Sequence, residues 1–471
     1  MFRYLKYIFI TVFTILFFIG LDNYIGSKLL YTLFSILALI MVLIPFKKEF
    51  YFFEIFFTII IFTTFWLDFV VTISFLNSNF IEGRGAFDFS ANSFDKILII
   101  SNYLFLSIII SIITRSYFFP KKKLFLNKLI LLSHSQSFFE KNRFLLFFGL
   151  ISFVFIISYI NFYFSIYQRG VISKIEINFL IEGIIKWLLL FGFSSFFCIL
   201  IDLLISNKIY KKTHIFFYSF FLILETFMSN ISILSRGNFL NSSSIIFAVY
   251  KQMNKHRDIF FTISSLIIFL FFLAGIIILT PLRGEPLLTN IQEFNKLNFS
   301  LDQSIIKEKF YIFYNFVELI FSRLFGIEAL MAVYSLDNLG FDLLFEAMKD
   351  KPEIGKISFF DSLKHDYRIN NSDVVSITLP GIVGFLYYSG SIYFLSISIF
   401  LIVLFFSFFE LLIYRFCNNN LLLCSLFSQV IAYRLWHFGY NFSNTYLIIL
   451  AIFFNILIII IFYKIIKYKN K

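Results

Sequence analysis

Four polar residues follow one another at helical spacing in an otherwise apolar stretch, ETFMSNISILSRG, at residues 225–237. Glu225, Ser229, Ser232 and Arg236 occupy positions i, i+4, i+7 and i+11. This spacing places all four on one face of a helix. A charge facing lipid costs ~2.5 kcal/mol or more at the membrane centre, so such side chains usually face the bundle interior or a wet cavity. The pattern predicts a polar stripe that lines a cavity and ends in a cation. In the alternative, Arg236 anchors a helix end at the headgroups and the serines bond to their own backbone.

Three arginines in the second half of the chain suit phosphate chemistry. Arg236 and Arg283 are each followed by glycine, and Arg323 lies in the apolar segment FVELIFSRLFGIEALMAVYS. A guanidinium group offers planar, bidentate donors that match phosphate. Arginines that converge on one cavity would hold a lipid diphosphate and stabilise it as a leaving group when the glycosidic bond to it breaks. Gly237 would allow a sharp turn or close approach to the ligand.

Other candidate residues have simpler alternatives. His365, in DSLKHDYRIN, has the chemistry of a general base, with a solvated loop as its alternative. Among the acidic residues within predicted spans, Asp68 has the weakest structural explanation. Glu54 and Glu410 lie near predicted span ends and are expected to be interfacial. A transporter would use Asp68 and Glu225 as coupling sites. Ordinary surface positions are expected for Arg84, Arg169 and Arg368.

The amino-acid composition indicates that these residues belong to a membrane protein. Of the 471 residues 59% are hydrophobic and 14% charged, whereas a soluble domain carries about a quarter charged residues. The sequence contains no Walker motif, dinucleotide fingerprint, HExxH or paired CxxC motif, which argues against nucleotide-driven transport within the chain. The net charge of +12 is attributed to cytoplasmic loops, not to nucleic-acid binding. The three cysteines have no disulfide or metal spacing and are expected to be buried or reduced.

Apolar runs predict an all-α, polytopic protein with about twelve spans in a single transmembrane domain, residues 1–471. The spans are at about 7–21, 29–45, 51–76, 97–118, 144–166, 183–205, 214–234, 238–250, 259–281, 391–414, 420–435 and 445–463. Lys and Arg concentrate in alternate loops, which places both termini in the cytoplasm. Residues 282–373 then form one long outer segment with amphipathic helices between spans 9 and 10. The stretch SITLPGIVGFLYYSGS that follows predicts a bent, partly buried re-entry.

These features together resemble the bacterial O-antigen polymerases, the Wzy-type oligosaccharide repeat-unit polymerases. The resemblance depends on ILSRGNFL at the end of a central span, LPGIVGFLYYSGSIYFLSI before a late span, the late outer loop and the span count. It covers most of the chain in architecture, and its motifs are short.

The resemblance implies a GT-C-like glycosyltransferase of the bacterial inner membrane that needs neither metal nor cofactor. Such enzymes join undecaprenyl-diphosphate-linked oligosaccharides at the periplasmic face, amid membrane lipid and with a chain-length regulator protein as a partner. Diphosphate binding is carried over to Arg236, Arg283 and Arg323, with Gly237 and Glu225 beside them. Glu328 and His365 are the candidates for the catalytic base. O-antigen ligases share the architecture, a flippase for the same lipid-linked units is an alternative from the transporter class, and an envelope scaffold is a third.

Overall fold

The computed structural model describes residues 2–46, 51–76, 80, 85–118, 133–168, 178–206, 212–235, 237–252, 259–282, 326–350, 359–363, 379–438 and 449–461. Within these ranges the regular structure is helical. The helices are α1 (Phe2–Asn23), α2 (Lys28–Leu43), α3 (Phe52–Ile61), α4 (Asp68–Phe75), α5 (Ala91–Phe118), α6 (Ser133–Phe164), α7 (Phe179–Trp187), α8 (Phe193–Ser206), α9 (Lys212–Ser232), α10 (Phe239–Gln252), α11 (Ile259–Leu282), α12 (Ile327–Tyr334), α13 (Phe341–Lys349), α14 (Phe359–Leu363), α15 (Gly381–Tyr387), α16 (Ile392–Phe416), α17 (Leu421–Trp436) and α18 (Ile449–Ile461).

The chain is a helical membrane protein. In the described part, seven helices are long and apolar enough to cross a membrane: Lys28–Phe46, Phe52–Phe75, Ala91–Phe118, Lys141–Phe164, Leu180–Ile205, Ile215–Ser232 and Ile392–Phe416. Four shorter apolar helices and α10 lie at the five other positions where the sequence predicts a span. Large apolar side chains remain exposed along the outer faces of these helices, such as Ile110 and Ile113 on α5, as lipid contact requires.

Two of the long helices contain a π-helical segment. Phe62–Leu67 joins α3 to α4, and Leu188–Gly192 joins α7 to α8. A π segment widens the helix locally and alters its carbonyl register, and such segments occur often at functional sites. The first segment is packed tightly: Trp66 stacks on Phe13 with centroids 4.2 Å apart, and its indole N–H donates to Ser35 Oγ at 2.9 Å.

Helices α16 and α17 form an antiparallel hairpin that defines the two ends of the bundle. Asn418 and Asn419 adopt positive φ angles of 53° and 60° in its turn, a conformation that asparagine tolerates better than most residues. Asn420 then caps α17 by accepting hydrogen bonds from Leu422 N and Leu423 N at 2.9 and 3.1 Å. Arg415 is therefore exposed at one end of the hairpin, and Arg434 lies at the other.

Part of the segment that is predicted as a long outer loop does not form the amphipathic helices that the sequence predicts. Every residue of α12 from Ile327 to Val333 is buried, so this helix does not present a polar face to solvent. It packs against α15, where Gly384 lies close to Ala329 O and to Val333. Helix α15 is also buried and begins at Gly381, directly after Pro380, where a break is predicted; Gly384 lies within this helix, and a turn with Gly390 at φ 67° separates it from α16. The apolar side chains of these two short buried helices belong to the same hydrophobic core as those of the long helices.

Candidate functional site

The predicted polar stripe on α9 faces the bundle interior and is fully packed. Glu225 accepts hydrogen bonds from Ser194 Oγ at 2.9 Å and Ser229 Oγ at 3.2 Å. Ser232 donates to Ser158 O at 2.9 Å and accepts from Asn161 Nδ2 at 2.8 Å. The serines bond partly to other helices, contrary to the simpler alternative. These side chains bind α9 to α6 and α8, and they do not line the open cavity that the spacing predicts.

Hydrogen bonds fix the turn after α9 on both sides of position 236. Leu234 has a φ of 51°, a strained angle for a leucine, which reverses the chain direction. Asn230 then holds the turn with two atoms: its backbone oxygen accepts from Ser235 N at 2.9 Å, and its Oδ1 accepts from Asn238 N at 3.0 Å. We call residues 234–238 the α9–α10 turn. Arg236 itself lies outside the described residues, but its neighbours in the chain are fixed.

The second π segment binds the beginning of α10 through its backbone carbonyls. Asn238 Nδ2 donates to Leu189 O, and Asn241 Nδ2 donates to Leu190 O, both at 2.9 Å. A π segment changes the partners of helical carbonyls, and buried carbonyls that gain no backbone partner must be satisfied by side chains. The two asparagines do so here. The π segment thus positions the α9–α10 turn.

A small pocket lies between this turn and the C-terminal end of α17. It is lined by Leu190, Phe191, Gly237, Asn238, Asn241, Gln429, Val430, Tyr433 and Arg434. Gly237 is required for the close approach, since a Cβ there would lie 2.8 Å from Tyr433 Oη. The free volume is about 10 Å³, which admits one water-sized group. The pocket in this conformation therefore accepts a single polar group, not a whole sugar.

Arg434 and Gln429 are pocket residues that the sequence did not identify as such. In the sequence, Arg434 lies two residues before Trp436 and three before His437. The structure places its guanidinium group 5.8 Å from the Tyr433 ring centroid and in the pocket wall. The available signal was the spacing: Gln429, Tyr433 and Arg434 lie at i, i+4 and i+5, on one side of α17.

Glu328 lies in the first turn of the buried helix α12 and is itself buried. Gly326, just before this helix, packs against Thr64 of the first π segment, and a Cβ at Gly326 would lie 2.7 Å from Thr64 O. Helix α15 contacts both α12 and α17, and Gly381 lies near Trp436 O. The helix that carries Glu328 is thus connected through α15 to the end of α17 that forms the pocket.

The remaining predicted site residues cannot be placed relative to this pocket. Arg283, Arg323 and His365 lie outside the described residues, as do Arg84, Arg169 and Arg368. Of the seven predicted site residues the structure describes Glu225, Gly237 and Glu328, and it puts only Gly237 in the pocket wall.

Glu54 and Glu410, which the sequence places near predicted span ends, are both buried between helices. Arg115 binds Glu54 through Nε and Nη2, both at 2.6 Å, and stacks over the Tyr51 ring with 4.0 Å from Cζ to the centroid. Glu410 Oε2 accepts from Phe53 N at 2.9 Å and from Ser428 Oγ at 3.1 Å. Helices α3, α5, α16 and α17 are joined by this ionic network.

The three cysteines, Cys198, Cys417 and Cys424, are buried and form no disulfide with one another, as predicted. Asp68 is buried where the first π segment meets α4. Comparison of the chain with protein-family models, with curated proteins and with solved structures gave no match.

Proposed function

We propose that this chain is a glycosyltransferase of the bacterial inner membrane that polymerises undecaprenyl-diphosphate-linked oligosaccharide repeat units at the periplasmic face. In this proposal about twelve helices cross the membrane in a GT-C-like arrangement, and both termini are cytoplasmic. The pocket beside the α9–α10 turn opens on the periplasmic side. The substrate is the lipid-linked oligosaccharide, and a chain-length regulator protein is the expected partner.

One observation carries the proposal: the α9–α10 turn, which contains the sequence SRGN, is held at the mouth of a polar pocket in a membrane protein. Two hydrogen bonds to Asn230 and one from Asn238 to the Leu189 carbonyl hold this turn, and Asn241 holds the start of α10 through the Leu190 carbonyl. A turn that holds its shape through three buried hydrogen bonds is suited to presenting a ligand-binding side chain in a fixed place, because little ordering remains to be done on binding.

The proposed reaction transfers the growing saccharide from its lipid diphosphate to a hydroxyl group of the next unit. A C–O bond forms at the anomeric carbon, the bond to the diphosphate breaks, and the acceptor hydroxyl loses its proton. Arg236, Arg283 and Arg323 would stabilise the charge on the leaving diphosphate. Glu328 or His365 would accept the proton. Glu328 is supported by its place in α12, a buried helix connected to the pocket through α15.

The test is an Arg236→Ala variant in a strain that lacks the native gene. We expect the variant to make single capped repeat units in place of long polysaccharide, because loss of a charge-stabilising donor lowers such rates by ~10²-fold or more. Gel analysis of the surface polysaccharide measures the chain-length distribution. Arg415→Ala is the matched control, since Arg415 is exposed at the opposite end of the bundle. Long chains in normal amount from Arg236→Ala, with equal protein in the membrane, would contradict the proposal.

The deletion strain itself separates the alternative activities. Without a polymerase, single repeat units are still delivered outside the cell. Without a flippase, the lipid-linked units stay on the cytoplasmic side. Without a ligase, long polymer accumulates on its lipid carrier. A scaffold would tolerate Arg236→Ala and Arg283→Ala together.

A further inference from the structure

We propose that the pocket between the α9–α10 turn and α17 binds one hydroxyl group of the saccharide, with Gln429 as its hydrogen-bonding partner. This inference rests on the proposed function and adds a contact to the sugar itself. It makes Gln429 a residue that recognises the saccharide, separate from the arginines that hold the diphosphate.

The amide of Gln429 is the observation that points to a ligand. Its side chain is 3% exposed, and its Oε1 atom is buried without a hydrogen-bond partner among the described residues. A buried polar atom that stays unsatisfied costs ~1–3 kcal/mol, so such atoms normally have a partner, an ordered water or a functional role. Gln429 also lines the pocket, so a group that enters there would reach the amide.

The size of the pocket and the unsatisfied oxygen of Gln429 favour a hydroxyl group over a phosphate group, and Arg434 in the same wall can act as a further donor to that hydroxyl. A free volume of about 10 Å³ admits a single oxygen atom with its hydrogen, whereas a phosphate group has four oxygen atoms. The Gln429 carbonyl oxygen needs a donor, which an ionised phosphate does not provide. A hydroxyl group both donates and accepts, so it satisfies the amide in either orientation.

The surroundings of the pocket favour a sugar as the source of that hydroxyl. Tyr433, Trp436 and His437 form an aromatic cluster at the same end of α17, with ring centroids 4.1 Å apart for Tyr433 and His437 and 4.4 Å for Trp436 and His437. A sugar ring combines hydroxyl groups with an apolar C–H face. Aromatic side chains around a few placed polar groups are the usual lining of a small-molecule site.

The experiment measures saccharide binding without the transfer reaction. The probe is the repeat-unit oligosaccharide released from its lipid carrier in the producing strain, so it carries no diphosphate. Detergent-purified wild type and Gln429→Leu are titrated with this oligosaccharide while the melting temperature is followed, and pyrophosphate is titrated in parallel. We expect the oligosaccharide to stabilise the wild type and to bind Gln429→Leu about tenfold more weakly, the effect of one hydrogen bond. The pyrophosphate response should be equal in both.

Ser428→Ala is the matched control, because Ser428 is the preceding residue of α17 and its hydroxyl bonds to Glu410 on another side of the helix. It should bind the oligosaccharide like the wild type. Gln429→Asn should restore part of the affinity, which a purely structural role would not predict. If wild type and Gln429→Leu respond alike, or if the wild type does not respond at millimolar oligosaccharide, the pocket holds only a structural water and the inference is wrong.

The two proposals can fail separately. Saccharide binding that depends on Gln429, in a protein whose deletion leaves long polysaccharide unchanged, would overturn the proposed function and keep this inference. Polymer formation that depends on Arg236, with saccharide binding that is indifferent to Gln429, would do the reverse.

Discussion

The network of Glu54, Arg115 and Glu410 shows how a buried charge depends on one partner. Arg115 has a carboxylate on one side and the Tyr51 ring on another, and Ser407 Oγ adds a hydrogen bond to Glu54 Oε1 at 3.1 Å. Charges are expensive inside a membrane protein unless they are paired and hydrogen-bonded. The network is therefore a structural joint between helices.

Replacing Arg115 by alanine should destabilise the protein strongly, because Glu54 would remain as a buried carboxylate without its partner. We expect a loss of about 3–5 kcal/mol, seen as a lower melting temperature in detergent and less protein in the membrane. The double variant Glu54→Leu with Arg115→Leu should recover most of that loss, since no unpaired charge remains. Arg415→Ala serves again as the exposed control. Equal melting of Arg115→Ala and Arg415→Ala would show that the ion pair contributes nothing.

Each of the two π segments contacts a part of the chain that belongs to the proposed site. The segment at Leu188–Gly192 binds Asn238 and Asn241 through its carbonyls, and the segment at Phe62–Leu67 receives Gly326, the residue before α12. The local widening of a π segment offers backbone atoms that a regular helix keeps for itself. These two irregularities therefore position the α9–α10 turn and the helix that carries Glu328.

Gly326→Ala should disturb this arrangement, because the added Cβ would lie 2.7 Å from the Thr64 backbone oxygen. Overpacking of this kind costs about 1–3 kcal/mol, and α12 would have to shift away from the π segment. We expect a lower melting temperature together with shortened polysaccharide chains. The control is Gly340→Ala, also before a short helix, where the backbone is extended and a Cβ would meet nothing within 4 Å. That control should change stability by less than about 0.5 kcal/mol. If both variants match the wild type, close packing at Gly326 does not position α12.

The two ends of the bundle differ in what they hold. One end carries exposed Arg415, and the other carries the pocket, the aromatic cluster and the contact between α15 and α17. At the pocket end, Tyr24 in the turn before α2 donates to Asp95 Oδ1 at 2.7 Å. Burial and the Asp95 carboxylate raise the pKa of Tyr24 far above its ordinary value, so its phenol stays protonated and continues to donate at physiological pH. The ionic network reaches α17 at Ser428, the residue before the pocket residue Gln429, so the network adjoins the pocket.

The orientation of the bundle can be tested by labelling single cysteines. The three native cysteines are buried, so they provide a background that reacts slowly with polar reagents. A membrane-impermeant maleimide should label Ser300→Cys, in the proposed periplasmic segment, on intact spheroplasts. It should label Ser133→Cys, at the start of α6 after the basic loop, only after permeabilisation. The opposite pattern would invert the proposed topology and place the pocket in the cytoplasm.

The sequence by itself determined the class of protein and the positions of its long helices. A long apolar run has to form a helix in lipid, because its backbone groups find no water there, so a helix lies at each predicted span among the described residues. Local spacing also identified the inward face of α9 and the break near Pro380 and Gly381, because both depend on residues adjacent in the chain.

Only the tertiary structure decided which polar residues face one another. Arg115 follows Glu54 by 61 positions and Gln429 follows Gly237 by almost two hundred, and no local period encodes such pairs. The same limit explains α12. Its sequence predicts an amphipathic helix at the membrane surface, but the helix is buried because α15 and the first π segment cover it. Glu225 shows the same limit: a polar face predicts the bundle interior, but packing decides whether that interior is a cavity or a hydrogen-bonded contact between helices.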